Sequence, residues 1–402
     1  MFGHLRVYPN RGMAREDMET IDVEPAGVDI MTPKTEHRCI RLYDLAAQDA
    51  LILKQEMLSL GGDVAISRRA LPPCGDESDV LVMGTLPQLE RLTGKLTRQY
   101  DRLCGCGTAI SRILENMEAS HMLRLGDGIE LGKRTRIMGI LNVTPDSFYD
   151  GGRHATHDEA VERALGMAEA GADIIDVGGE STRPGAAPVN EAEELARVVP
   201  VVEAVSDAID VPVSVDTSKA AVAEEAISAG AGMVNDVTAL RGDDEMAGVV
   251  ATHDVPVCLM HMLGSPQNMQ ENPSYGDVMG EICRFLDERA GYAIEQGVSR
   301  DNIILDPGIG FGKRTGADIE DNCEILARLR ELKSLGYPVM VGASRKRFIG
   351  NLCGCPPDQR LEGSLGAAAI AVTGGADIVR VHDVAATRRM LAVVDRVART
   401  GR

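Results

Sequence analysis

The sequence predicts a (β/α)8 TIM barrel, an α/β fold, preceded by a small N-terminal α/β domain. Three observations predict it. From about residue 136 onward a unit of short apolar strand, Gly/Asp/Ser-rich loop and amphipathic helix recurs eight times. Polar side chains cluster directly after nearly every one of those strands, and in a closed barrel all strand ends meet at one mouth. The repeats together span about 265 residues, the usual size of such a barrel. Alternating strands and helices imply parallel pairing with right-handed crossovers. An open doubly wound sheet is the alternative, and site-like residues after nearly all eight strands favour closure.

The strands begin near Ile137, Ile174, Val213, Met233, Val257, Ile303, Val339 and Ile378. Helices lie between them at 158–170, 191–208, 220–229, 318–334 and 361–373. Aromatic residues make up only 3% and there is no Trp, so the core must be aliphatic. The 18 Met and the many Ala and Val suit helices packed on a parallel sheet. Residues 1–125 read differently. A helix at 45–60 is stopped by Gly61-Gly62. A strand at 79–83 and helices at 87–100 and 108–122 follow. Lys54-Gln55-Glu56 and Arg68-Arg69 read as solvated surface, and the domain carries no recognisable chemistry. Leu125-Gly126-Asp127-Gly128 leads into the barrel, 126–402, with a short strand pair closing its bottom.

The 402 residues carry 42 Lys+Arg against 61 Asp+Glu, a net charge of −19. That argues against nucleic acid or an anionic membrane as a partner. An anionic substrate is still admitted where the site is locally basic. No apolar run approaches membrane-spanning length. Nine cysteines, an odd number, follow a start, Met1-Phe2-Gly3-His4-Leu5, that lacks the features of a secretory leader. Reduced thiols in the cytoplasm are the expectation. Two Cys-Gly-Cys pairs, Cys104/Cys106 and Cys353/Cys355, are one residue short of the usual zinc or redox spacing and have no partner set.

The strand ends supply the chemistry. After the first strand comes Asn142, suited to a metal or a phosphate oxygen, or simply to a local turn. The loop 144–152, with Asp146, has the length and composition of a lid. The second strand delivers Asp176-Val177-Gly178-Gly179-Glu180-Ser181-Thr182-Arg183-Pro184, where glycines allow close backbone approach and Arg183 suits a planar anion. The third ends in Asp216-Thr217, in which Thr217 competes as a helix cap. The fourth ends in Asn235-Asp236, offering donors and acceptors to a planar heterocycle. The fifth gives His261, a weaker site candidate than the rest, with a packed core histidine as the competing reading. The sixth gives Asp306 and the run Gly308-Ile309-Gly310-Phe311-Gly312-Lys313, whose spacing is not that of a phosphate loop. The seventh gives Ser344-Arg345-Lys346. The eighth gives Arg380-Val381-His382-Asp383, where Arg380 and His382 point the same way if the strand persists that far, and beside Asn142 would make an anion site.

In combination and in order, these motifs resemble the dihydropteroate synthase family of the pterin-binding barrels, over about residues 136 to 399. The resemblance implies joining of 6-hydroxymethyl-7,8-dihydropterin diphosphate to p-aminobenzoate, with diphosphate released. It implies that Asp216, Asn235, Asp306 and Lys346 hold the pterin ring. It implies that Asn142, Arg380 and His382 hold the diphosphate, with Mg2+ bridging to Asn142. Asp146 and Arg183 would close over the site, and Thr182 and Phe311 would help seat p-aminobenzoate. Asp146, Arg183, Asp306 and Lys346 are thus the expected catalytic set. The implied partners are small molecules and a second copy of the chain in a homodimer. A pterin-dependent methyltransferase acting on a corrinoid protein is the rival reading, and it needs no diphosphate site.

Overall fold

The computed structural model describes residues 1–71, 75–143, 153–180, 189–316 and 319–399. The chain divides into two compact units, Met1–Glu118 and Ala119–Ala398. The division falls ahead of the expected one, because a short hairpin belongs with the barrel.

The first unit opens with two helices, α1 (Arg11–Thr20) and α2 (Pro25–Met31). Then follow β1 (His37–Leu45), α3 (Ala47–Ser59), β2 (Asp63–Ile66), β3 (Ser78–Thr85), α4 (Leu86–Leu96) and α5 (Asp101–Asn116). The strands form an antiparallel sheet in the order β1-β3-β2. Alternation puts Ile40, Leu42, Val80, Val82 and Val64 on one face, packed with Leu53 and Met57 of α3 and the leucines of α4. The sequence reading contained neither α1, α2, β1 nor β2. It began a helix at Leu45, which instead ends β1. The last helix begins at Asp101, seven residues before the expected start at Thr108, and ends at Asn116. Within it Gly107 lets α5 pack closely on α4: a Cβ there would come within 2.9 Å of the Leu96 Cβ. Cys104 and Cys106 are free thiols, as are Cys353 and Cys355.

The second unit starts with the hairpin β4 (Met122–Leu123) and β5 (Ile129–Glu130), the strand pair expected there. Eight parallel strands follow: β6 (Arg136–Asn142), β7 (Ile174–Gly178), β8 (Val213–Asp216), β9 (Ala231–Asp236), β10 (Val257–Met260), β11 (Ile303–Asp306), β12 (Met340–Val341) and β13 (Ile378–Val381). Their order is β11-β10-β9-β8-β7-β6-β13-β12. A parallel bridge between Leu305 and Val339 joins the two ends and closes the barrel. The Leu305 N–H donates to Pro338 O at 2.9 Å across that seam. The outer helices are α6 (Arg153–Glu169), α7 (Glu191–Ala208), α8 (Ala220–Ser228), α9 (Met246–His253), α10 (Val278–Glu295), α11 (Asp321–Ala327), α12 (Arg347–Cys353), α13 (Leu361–Thr373) and α14 (Val384–Ala398). None among the described residues is long and apolar enough to cross a membrane.

The interior is layered. Met138, Ile174, Met233, Cys258, Ile304, Met340 and Ile378 form an apolar layer with Leu123, Leu125, Ile129 and Leu131 from the hairpin region. Side chains alternate along a strand, so the residue two positions further on returns to the same face. Two positions beyond four of these residues stand Asp176, Asn235, Asp306 and Arg380, and two beyond Ser214 on β8 stands Asp216. A dry floor thus carries a polar layer directly above it.

Candidate active site

Arg380 organises the polar layer. Its Nε donates to Asp176 Oδ2 at 2.6 Å and its Nη2 donates to Asp216 Oδ2 at 2.6 Å. Burial works against this guanidinium charge, and the two carboxylates more than offset it. Asn235 Nδ2 donates to the same Asp176 oxygen at 3.0 Å. The other oxygen of Asp176 is buried without a hydrogen-bond partner. β8 and β9 pair with Asp216 opposite Asn235, so acceptor and amide stand side by side. Burial pushes the Asp216 carboxyl up to about 7, against the pull of Arg380. The local chain makes room: a Cβ on Gly178 would lie 3.3 Å from that of Asp216.

Asp306 lies at the end of β11, 4% exposed, and accepts from the Gly308 N–H at 2.7 Å. Burial raises its pKa, opposed first by Lys346. Lys346 reaches in from the loop after β12. Its Nζ donates to Ile309 O and stands 4.4 Å from the centre of the Phe311 ring. Burial lowers it to about 8, against the attraction of Asp306. Phe311 packs against Val237, Met260, Met262 and Met269, an apolar wall beside the charged groups.

The loops after β12 and β13 are clasped together. Ser344 Oγ accepts from the His382 N–H at 3.2 Å and lies 3.0 Å from its Nδ1. Arg345 makes a two-pronged bond to Asp383, 2.9 Å and 2.6 Å, from a left-handed backbone at φ 57°. A non-glycine residue there costs about 1–2 kcal/mol. The Ser364 Oγ, accepting from the Arg345 N–H at 2.9 Å, helps to hold it.

The structure therefore brings Asp216, Asn235, Asp306, Phe311, Lys346 and Arg380 around one interior space. Arg380 lies deeper than the sequence reading placed it, between inner carboxylates. His382 stands at the rim, and Asn142 ends β6, half-buried, between β13 and β7. Asp146, Thr182 and Arg183 lie outside the described residues. Asp236 turns away from the space: its carboxylate accepts from Thr238 and from the Leu240 N–H, holding its own loop. The sequence reading missed Asp176 as a member of the site. Its signal in the sequence is an acid two residues past an inward-facing Ile174.

His261 is a core histidine, 4% exposed, with its ring edge-on to Phe285. Burial lowers its pKa to about 2. It touches Lys313, the largest fully buried side chain, at 3.0 Å. Burial pushes the Lys313 amine down to about 7.

What such a space suits is a flat, polar, largely desolvated ring. It offers carboxylates, an amide and a lysine at the ring's edges, a guanidinium within, and a sulfur-rich wall. The profile of the pterin binding enzyme family matches residues 138–382. The dihydropteroate synthase of Synechocystis sp. is 47% identical over 265 residues, 66% of this chain and 90% of the relative. A probable bifunctional folylpolyglutamate synthase/dihydropteroate synthase of Halobacterium salinarum is 43% identical over 373 residues. That match covers 92% of this chain, more than the barrel unit alone can supply, and 44% of the relative. The Xanthomonas albilineans dihydropteroate synthase with 4-aminobenzoic acid superposes with a TM-score of 0.65 at 48% identity, over 70% of this chain and all of that one. With the barrel, the ordered strand-end residues and these relatives in agreement, the chain belongs to the pterin-binding enzyme family, among its dihydropteroate synthases.

Proposed function

We propose that the chain condenses 6-hydroxymethyl-7,8-dihydropterin diphosphate with p-aminobenzoate, giving 7,8-dihydropteroate and diphosphate. The observation that carries this is the buried layer in which Arg380 joins Asp176 and Asp216 beside Asn235, Asp306 and Lys346. In this reading Asp216, Asn235, Asp306 and Lys346 grip the edges of the pterin ring. Asn142, His382 and Arg380 face its diphosphate side. The loops bearing Asp146, Thr182 and Arg183 cover the reactants, and Phe311 helps seat the aromatic amine.

The chemistry follows from charge. The diphosphate departs with the electron pair of its C–O bond, and the pterin methylene gains cationic character. The amine nitrogen then attacks and gives up a proton. Arg380 and His382 favour the departing anion, while the buried carboxylates favour the cationic ring. Positioning and the exclusion of water do the rest, since water would trap the cation.

Mg2+ fits this chain in one manner only. Among the described residues no three His, Cys, Asp or Glu side chains gather as a metal cage. Asn142 offers a single neutral oxygen, which suits an ion that arrives on the diphosphate and keeps most of its waters. When bound, the ion would neutralise charge on the leaving group.

A homodimer is supported by apolar side chains left exposed on three successive outer helices: Leu352, Ile370, Val393 and Val397. Light scattering at the monomer mass would remove it. The free thiols of the described residues suit a reducing cytoplasm.

The test is diphosphate release from the dihydropterin diphosphate with Mg2+, with and without p-aminobenzoate. Release coupled to dihydropteroate is expected. Pterin binding without release would overturn the proposal and revive a methyl-transfer reading, which has no observation of its own here.

A further inference from the structure

Every backbone carbonyl of the loop 308–312 is engaged. Lys313 Nζ donates to Gly308 O at 3.0 Å and to Phe311 O at 2.8 Å. Lys346 donates to Ile309 O. Gln270 Nε2 donates to Gly310 O at 2.9 Å, and the Tyr275 hydroxyl donates to Gly312 O at 2.5 Å. The loop can point its carbonyls to opposite sides because Gly308, Gly310 and Gly312 all adopt positive φ, 68°, 83° and 59°. Lys313 takes the carbonyls of Gly308 and Phe311, and Lys346 takes that of Ile309, which lies between them in the chain. An ammonium has three donors and no acceptor. The third donor of Lys313 goes to His261 Nδ1 at 3.0 Å, which places the ring proton on Nε2.

This is a costly arrangement. A lysine that is 1% exposed sits beside a neutral histidine and two carbonyls, with no carboxylate of the described residues bonded to it. A buried charge kept in this way is a poor device for stability, since an apolar residue of the same volume serves as well or better. What it supplies is orientation. It fixes the loop so that Ile309 O meets the Lys346 ammonium and the Phe311 ring lies over it.

We infer that Lys313, held by His261, is a positioning residue for the pterin subsite: it sets the glycine loop that aims Lys346. This rests on the dihydropteroate synthase reading. Lys313 acts on that subsite through the loop and Lys346.

The experiment measures steady-state kinetics and thermal melting for wild type, Lys313→Met, His261→Leu and His261→Asn. Asn keeps an acceptor near the place of Nδ1, and Leu does not. Lys313→Met is expected to raise the KM for the dihydropterin diphosphate at least tenfold, with the KM for p-aminobenzoate changed less than twofold and Tm equal to or above wild type. His261→Leu should raise the same KM severalfold, and His261→Asn should restore most of it. A Tm that falls in step with activity, or wild-type pterin KM in either Lys313→Met or His261→Leu, overturns the inference. If Lys313→Met does not fold, the His261 pair decides by itself. Wild type that releases no diphosphate would instead discredit the underlying function, so the two failures are distinguishable.

Discussion

Arg380 and Asp176 form a buried ion pair, Nε to Oδ2 at 2.6 Å, on strands far apart in the chain. Asp176 is fully buried and its second oxygen is bare. The pair holds the guanidinium flat within the barrel, where its other arm reaches Asp216. Asp176→Asn keeps the shape and removes the counter-charge. Breaking a buried pair costs roughly 3–5 kcal/mol, so a loss near the lower end is expected in urea unfolding. Arg380→Lys keeps the charge but cannot fork between two carboxylates. It is expected to lower kcat/KM by about a hundredfold or more while the chain stays folded, checked by circular dichroism.

Lys346→Ala and Asp306→Ala should each cut turnover by at least about a hundredfold with the barrel intact, as loss of an electrostatic or binding group in a dry site does. Diphosphate release reads the effect. Near-normal activity in either variant would remove both residues from the pterin subsite.

Affinity for the dihydropterin diphosphate should fall as pH rises through about 8, where burial has brought Lys346. A single required proton predicts roughly a tenfold loss per pH unit above that point. Lys346→Met should flatten the alkaline limb. Stability moves the other way. The ordinary lysine value is 10.5. Between about 8 and 10.5 the unfolded chain therefore binds more protons at this residue than the folded one. The Lys346 contribution to stability therefore rises with pH across that window and is lost as pH falls through about 8.

Two alanine substitutions in one loop should behave differently. At Gly308 a Cβ would come within 1.8 Å of the His261 carbonyl oxygen, in a backbone at φ +68°. Backbone cannot yield as a side chain can, so Gly308→Ala should cost on the order of 3 kcal/mol or prevent folding. At Gly310 the nearest atom is Lys346 Cδ, 3.2 Å away. Gly310→Ala should cost only about 1–2 kcal/mol in strain and displace Lys346, lowering activity more than stability. Melting curves beside kinetics separate the two.

Much of the barrel was legible because strand and helix periods differ and each strand ends in a polar cluster. Helices 191–208 and 361–373 match α7 and α13, and the strand starts fall on or beside the observed ones. Asp216, Asn235, Asp306, Lys346 and Arg380 were legible because topology alone brings barrel strand ends together. What was not legible depends on direction within a loop. Whether Asp236 faces the space or its own turn is decided by the Thr238 and Leu240 N–H groups. The burial of Lys313 rests on carbonyl orientations that three left-handed glycines permit, and no spacing rule encodes those. In the first unit β1 hid because its outward Arg41 and Tyr43 dilute the alternation of Ile40 and Leu42.

The hairpin that floors the barrel has a consequence for traffic. With Leu123, Leu125, Ile129 and Leu131 packed beneath the strands, the described residues close the chamber from below. The polar layer stands directly above that floor. On the proposed function, depth then becomes a timetable: a ring held in that layer must enter before the amine can take its place above, and the joined product must back out the way its first half came in. An amine that arrives early can only stand in the doorway.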